Sequence, residues 1–115
     1  MKKIIKKKIR VEDLPNWDDY VVGRLNTPQA IKSYLTVALE EYEKDGNSAA
    51  FLISLRHVAR ACGGMSRLAE RAHLNRQNLY KVFSGNRSPR LDTLSAILHG
   101  LGLRLSVESV AVGKK

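Results

Sequence analysis

The residues of this sequence that are most able to recognise another molecule lie in the stretch Met65–Ser84. Towards its end, four polar side chains follow one another at helical spacing: Arg76, Gln77, Tyr80 and Lys81. Arginine bonds bidentately to guanine and glutamine to adenine, and lysine or tyrosine can reach guanine or phosphate. These residue types indicate recognition of a nucleic acid through hydrogen bonds.

Three of the four side chains lie away from the apolar face of the helix on which they are predicted to lie, and the fourth stands at its start. At about 100° per residue, Gln77 and Lys81 fall near the side opposite to the apolar residues, and Tyr80 lies beside them. Arg76 stands at the helix start, where side chains reach deepest into a major groove. We predict base or phosphate contacts for all four; ordinary solvated residues are the alternative. The apolar side consists of Leu79, Val82 and Phe83.

Three residues next to this helix complete the candidate DNA-binding set. Asn75 directly precedes the helix, and Asn86 and Arg87 follow it in a loop. We expect the two loop residues to contact phosphates rather than bases, because flanking contacts usually position a protein on the backbone.

The charge of the chain is unevenly distributed along its length. The 115 residues include 20 Lys and Arg against 11 Asp and Glu, a formal net charge of +9, which favours a nucleic-acid partner. Residues 1–11 hold six basic residues and no acidic one, 12–45 hold three basic and eight acidic, and 46–102 hold eight basic and two acidic. One face for a polyanion and another for a basic protein would give this pattern, although the acidic segment is equally well explained as a solvated helix.

Several classes of function are disfavoured by the residues present. The single cysteine, Cys62, excludes an internal disulfide and fits a reducing compartment. No apolar run approaches the roughly 18–20 residues that a membrane-spanning helix needs. The histidines and Cys62 lack zinc-site spacing, and Gly63-Gly64 is not followed by the Lys-Ser/Thr of a phosphate loop. We therefore expect a cytoplasmic protein with no membrane contact, metal, other cofactor or enzymatic activity.

Helical periodicity and capping residues predict that most of the chain is α-helical. Asp13–Gly23 is predicted to be irregular, with about one helical turn, because it contains Pro15.

Tyr34 and Tyr42 fall on an apolar helical stripe and are expected in the core, whereas Trp17 either staples its segment to the core or anchors a partner. The first predicted helix starts at Thr27-Pro28 and stops at Asp45-Gly46-Asn47, and the second runs from Asn47 or Ser48 to about Ala61. Two short helices cover 66–72 and 76–83. The last helix starts at Ser88-Pro89 and ends at Gly100 and Gly102.

The two short helices of residues 65–84 are predicted to cross at a steep angle with Ala69, a small residue, inside the crossing. This spacing resembles the helix-turn-helix of the lambda-repressor-like (Xre-like) DNA-binding domains. That family often has glycine at the start of the turn, where this chain has His73. The preceding helix, the GGM entry and the following SPRLDTL segment occur in the order that those four- or five-helix domains use.

A longer resemblance covers roughly Asp18 to Val107. The segments YLTVALEEYEKDG, AAFLISLRHVARACGGMS and LNRQNLYKVFSGNRSPRLDTLSAILHGLGLRL look like those of HigA-like antidote (antitoxin) proteins of addiction modules. The resemblance implies a cytoplasmic bacterial repressor of its own operon that also binds a RelE/HigB-like ribonuclease toxin. The residues alone indicate only the DNA-binding half of that function, and the basic arm lies outside the resemblance.

The expected fold is therefore mainly α: a lambda-repressor-like helical DNA-binding domain with an extra N-terminal helix and a short C-terminal strand. We expect a homodimer, because two recognition helices about 34 Å apart match one turn of DNA. A plain prophage-type repressor without a toxin, and a non-specific RNA- or polyanion-binding protein, are the alternatives. The predicted divisions are a basic arm and irregular acidic segment (1–26), a helical domain (27–102) with the helix-turn-helix (65–84), and a short strand and tail (103–115).

The strand is predicted because apolar and polar residues alternate from Leu103 to Val110. An isolated strand is not stable, so a partner must supply its hydrogen bonds. The candidates are the Ile4–Val11 arm, the same strand of a second subunit, which we favour, and a strand of the toxin.

Overall fold

The structure, a computed structural model, describes residues 16–111. The basic arm of residues 1–11 lies outside this range. The mainly α fold class is confirmed, and no helix within 16–111 is both long and apolar enough to cross a membrane. The helices of this range are α1 (Trp17–Arg24), α2 (Pro28–Asp45), α3 (Ser48–Ala61), α4 (Met65–Ala72), α5 (Arg76–Phe83) and α6 (Leu91–Gly100).

The boundaries of α2 and α3 arise from local capping, as predicted. The Thr27 hydroxyl accepts a hydrogen bond from the Ala30 N–H at 3.0 Å, and Pro28 occupies the first helical position. Gly46 ends α2 in the left-handed conformation, with a φ of 68°. The Asn47 side chain then caps α3.

Two predicted boundaries were wrong. Asp13–Gly23 was expected to be irregular, but α1 begins after Asn16, whose side-chain oxygen accepts from the Asp18 and Asp19 N–H groups at 2.8 and 3.2 Å. The last helix was expected to start at Ser88-Pro89, but α6 starts at Leu91 without a side-chain cap. The Ser88 hydroxyl is engaged elsewhere, because it donates to the Ser48 hydroxyl at 3.2 Å.

The predicted C-terminal strand is not formed in this single chain. Residues 103–111 have no regular secondary structure. Leu103 packs against the core and its N–H donates to the Leu98 carbonyl, whereas Leu105 is exposed and Val107 is 96% exposed. The physical reason is that, among residues 16–111, no strand lies beside this segment to exchange backbone hydrogen bonds with it.

The core is built around α3. Leu52, Leu55 and Val58 on this helix are at most 1% exposed. Helices α1, α2, α4 and α5 all pack against α3, and α6 packs against α4. The apolar face of α3 therefore determines where the two helices of the predicted helix-turn-helix lie.

A buried histidine joins α1 and α2 to α3. His57 Nε2 lies 2.9 Å from Asp18 Oδ1, and Nδ1 lies 2.7 Å from the Tyr34 hydroxyl. Beside this pair, Arg60 donates to Asp19 at 2.7 Å. The hydrogen bond from His57 lowers the pKa of Asp18 from its ordinary value of 3.8; burial opposes this effect, and the nearby positive charges add to it.

The aromatic residues on the N-terminal helices differ in their exposure. Tyr34 is half-buried against the core, as expected for a core residue, but Tyr42, which was also expected in the core, is 41% exposed. Trp17 is 69% exposed and stacks on Tyr20 with ring centroids 5.5 Å apart. Trp17 therefore does not staple its segment into the core.

Helices α4 and α6 approach each other closely at Gly100, which was predicted only to end the last helix. A Cβ atom on Gly100 would lie 2.8 Å from Leu68 Cδ1, 3.2 Å from Ala72 Cβ and 3.3 Å from the Ala72 backbone nitrogen. The leucine terminus can move, but the other two atoms are fixed by the helix. Gly100 therefore permits the packing of α6 on α4.

We expect Gly100→Ala to lower the free energy of unfolding by about 1–3 kcal/mol, because the added methyl group overpacks the α4–α6 contact. Gly23→Ala is the matched control: no atom lies within 4 Å of its Cβ position, and alanine should raise the stability of α1 by about 0.5–1 kcal/mol. Urea unfolding followed by circular dichroism measures both changes. Equal stability of the two variants would contradict the close approach.

We expect the stabilising effect of the Asp18 carboxylate to depend on pH. Because its pKa is lower in the folded chain than the ordinary 3.8, the unfolded chain binds more protons between the two values. The stabilisation is complete well above pH 3.8 and is lost as the pH falls through the lowered pKa. Asp18→Asn should therefore be less stable than the wild type at neutral pH, and the difference should become smaller as the pH falls below 3.8. A stability difference that does not change with pH would contradict the effect of the hydrogen bond from His57 on the Asp18 carboxylate.

Candidate nucleic-acid interface

The turn between α4 and α5 has a defined hydrogen-bonding pattern. His73 adopts the left-handed conformation, with a φ of 57°. Its N–H donates to the Glu70 carbonyl at 3.4 Å, and the Leu74 N–H donates to the Ala69 carbonyl at 2.9 Å. This is the Schellman arrangement that ends many helices, with histidine in the position that usually holds glycine. His73 therefore forms the turn that glycine usually forms, and it does so by adopting a left-handed conformation that is unusual for other residues.

Asn75 begins α5 by capping its first turn. Its side-chain oxygen accepts from the Gln77 and Asn78 N–H groups at 2.7 and 3.3 Å. This bond pattern is typical of an asparagine N-cap. Asn75 thus has a structural role that its position just before the helix could have indicated, and its contact with DNA stays a prediction.

Helix α5 has one buried face and one exposed face, as the spacing predicted. Leu79 and Phe83 are buried in the core. Arg76, Gln77 and Lys81 are exposed. The structure therefore brings the predicted contact residues together on one solvent-facing surface, which we call the α5 face: Arg76, Gln77, Tyr80 and Lys81.

An interaction within the α5 face was not predicted. The Arg76 guanidinium carbon lies 5.6 Å from the centre of the Tyr80 ring, and Arg76 Nη2 donates to the Tyr80 hydroxyl at 3.3 Å. The spacing of four residues along a helix could have indicated this pair. The contact restricts the long arginine side chain in advance, which reduces the entropy that it would lose on binding.

The loop after α5 is attached at both ends to the rest of the fold. Ser84 Oγ donates to the Lys81 carbonyl at 2.6 Å, and the Ser88 hydroxyl reaches Ser48 at the start of α3. Between these anchors, Asn86 and Arg87 are exposed. The loop places these two predicted phosphate contacts just after the end of α5.

The surface around the α5 face is strongly basic. Residues 65–88 contain five arginines and lysines and a single acidic residue, Glu70. Two of these cations, Arg67 and Arg71, lie on α4 and are exposed. Within residues 16–111, no three His, Cys, Asp or Glu side chains are grouped as a metal site would require. This basic surface can bind an anion, and it includes the hydrogen-bonding side chains of the α5 face.

The sequence profile of a family described as "probable addiction module antidote protein" matches residues 17–109. The match covers every helix from α1 to α6. The chain belongs to this antidote family. Its match begins after the basic residues 1–11, so the family profile does not describe them.

This chain also has a relative among curated proteins. An uncharacterized protein of Haemophilus influenzae is 32% identical over 97 residues, which cover 84% of this chain and 93% of the relative. No solved structure matches significantly. The comparisons therefore establish that the chain belongs to an antidote family. The roles of the individual residues of the α5 face stay predictions.

Proposed function

We propose that this antidote-family protein is a sequence-specific DNA-binding repressor that acts as the antitoxin of a type II toxin–antitoxin module. The observation that carries the DNA-binding part is the α5 face, which follows a tight turn and lies opposite the buried Leu79 and Phe83. A helix placed in this way by a short preceding helix can enter the major groove. The family match supports the antitoxin part.

The residues of the interface divide into base and phosphate contacts. Gln77 reads adenine and Arg76 reads guanine, each with two hydrogen bonds. Lys81 and Tyr80 bind guanine or phosphate at the edge of the groove, while Asn86 and Arg87 hold the DNA backbone. Asn75 contributes through the orientation of α5 and a contact from its exposed amide.

The antitoxin binds its DNA as a homodimer. One module of this size reads only a few base pairs, and two recognition helices one DNA turn apart extend the site. The alternating residues from Leu103 form the dimer contact, because Leu105 and Val107 are exposed in the single chain. Two copies of this segment paired antiparallel would satisfy each other's backbone groups and create a two-fold axis.

An addiction-module antidote implies a toxin, and we propose that this toxin is a RelE/HigB-like ribonuclease. The protein acts by binding in the cytoplasm and has no catalytic role of its own. It neutralises the toxin directly and represses the operon that encodes both proteins. A plain repressor would bind the same DNA without a toxin, so co-purification with the product of a neighbouring gene distinguishes the two.

Duplexes selected by the wild-type protein from a random library provide the test of DNA binding. We expect Gln77→Ala to lose about 1–3 kcal/mol of affinity for the selected site and to relax preference at one base pair. Lys81→Ala should weaken binding to all sequences and reduce the salt dependence by about one counterion. Gel shifts at several salt concentrations measure both effects.

Two exposed residues of α2 serve as matched controls: Gln29→Ala for Gln77 and Lys44→Ala for Lys81. Both controls should bind like the wild type. The proposal is wrong if no duplex is enriched in the selection. A specific site bound less than about 10³-fold more tightly than bulk DNA would instead favour the polyanion-binding alternative.

We expect Val107→Pro to weaken the dimer while leaving the helical circular dichroism signal unchanged. Proline removes a backbone N–H from the paired segment, and Val107 makes little contact within its own chain because it is 96% exposed. Analytical ultracentrifugation measures the dimer, and operator affinity should fall with it. Val110→Pro, in the same exposed segment but at its end, is the control and should have a smaller effect. A dimer undisturbed by Val107→Pro would exclude this segment from the interface.

A further inference from the structure

A groove lies between α2 and α3, away from the α5 face. Its volume is about 230 Å³, and apolar side chains form most of its walls. Val37 and Tyr42 in these walls are 55% and 41% exposed. Exposed apolar residues gathered in one groove indicate a surface that a further segment covers. The groove is formed mainly by Tyr34, Val37, Ala38, Tyr42, Ala50 and Phe51.

The groove has an acidic edge. Glu41 and Asp45, one helical turn apart on α2, belong to its lining, and no lysine, arginine or histidine does. Glu41 is 3.9 Å from Lys44, but both side chains are largely exposed, so this pair is weak. The chemistry of the groove therefore fits a segment with apolar residues and several positive charges.

Residues 1–11 of the same chain have this composition. They contain six basic residues, no acidic residue, and the apolar residues Ile4, Ile5, Ile9 and Val11. If the segment is extended, Ile5, Ile9 and Val11 lie on one side together with Lys7, and Lys6, Lys8 and Arg10 lie on the other together with Ile4. Such a segment can place apolar side chains in the groove and charges along its edge.

The first turn of α1, which follows this segment in the sequence, lies near one end of the groove. Asp18 in the first turn of α1 and Tyr34 in the groove wall contact opposite nitrogens of the same His57 ring. Five peptide steps join Val11 to Asn16, the residue before α1, and they can span at most about 16–18 Å. The groove runs about 17 Å along α2 from Tyr34 to Asp45. Residues 1–11 are therefore within reach of its whole length.

We propose that residues 1–11 dock into the acidic, apolar groove between α2 and α3 of their own chain. The docked segment covers Val37 and Tyr42, and its positive charges lie beside Glu41 and Asp45. Any protein partner that uses this groove must first displace the segment. This inference does not depend on the proposed DNA-binding or antitoxin function.

Zero-length carbodiimide cross-linking of the full chain tests the proposal. Mass spectrometry should find links from the lysines of residues 1–11 mainly to Glu41 and Asp45, within one chain. Val37→Gln should reduce their yield about tenfold, because it removes an apolar contact without changing any charge. Ile53→Gln is the matched control, since Ile53 is similarly exposed but does not line the groove. Circular dichroism should show that both variants remain folded.

Other distributions of links would overturn the proposal. A mixture of isotopically heavy and light chains identifies links between two molecules, and links found only between molecules would make a second copy the occupant. Links spread equally over exposed carboxylates outside the groove, such as Glu40 and Glu43, would show that the segment does not dock. The groove would then be open to a basic partner protein. None of these results depends on whether the protein binds DNA.

Discussion

The burial of one face of α3 is the constraint on which the other helices depend. Leu52, Leu55 and Val58 are at most 1% exposed, and fully burying such side chains contributes roughly 1.5–3 kcal/mol each. Four helices produce this burial together, because each of them covers part of α3: α1, α2, α4 and α5. The orientation of the α5 face is therefore a consequence of packing on α3, and not of the turn at His73 alone.

The polar side of α3 separates two kinds of surface. His57 is buried, and each of its ring nitrogens has a partner, so its burial does not leave an unpaired polar group. Its partners, Asp18 and Tyr34, hold α1 and α2 next to the acidic groove. Four exposed basic residues, Arg67, Arg71, Arg76 and Lys81, lie instead on α4 and α5. The acidic edge of the groove and this basic group thus belong to different helices of one small fold.

The sequence by itself predicted α2, α3, α4 and α5 within one or two residues. Their ends depend on local signals: Thr27 and Asn47 cap helices with their own side chains, and Gly46 takes a left-handed turn that other residues rarely adopt. The buried and exposed faces of α5 were also predictable, since side-chain direction in a helix follows from spacing alone. The assignment of bases and phosphates to the exposed residues stays a prediction, because it concerns a molecule that the chain does not contain.

Only the tertiary structure decided the features that join residues far apart in the chain. Asp18 reaches His57 across 39 positions, and Ser88 reaches Ser48 across 40; no local pattern connects such pairs. Gly100 was expected to end a helix, whereas its lack of a side chain is required by Ala72 on α4. The alternation after Leu103 predicted a strand that does not form within residues 16–111, because a strand also needs a neighbour. Local propensity therefore determined where most helices begin and end, and long-range packing determined which of their residues meet.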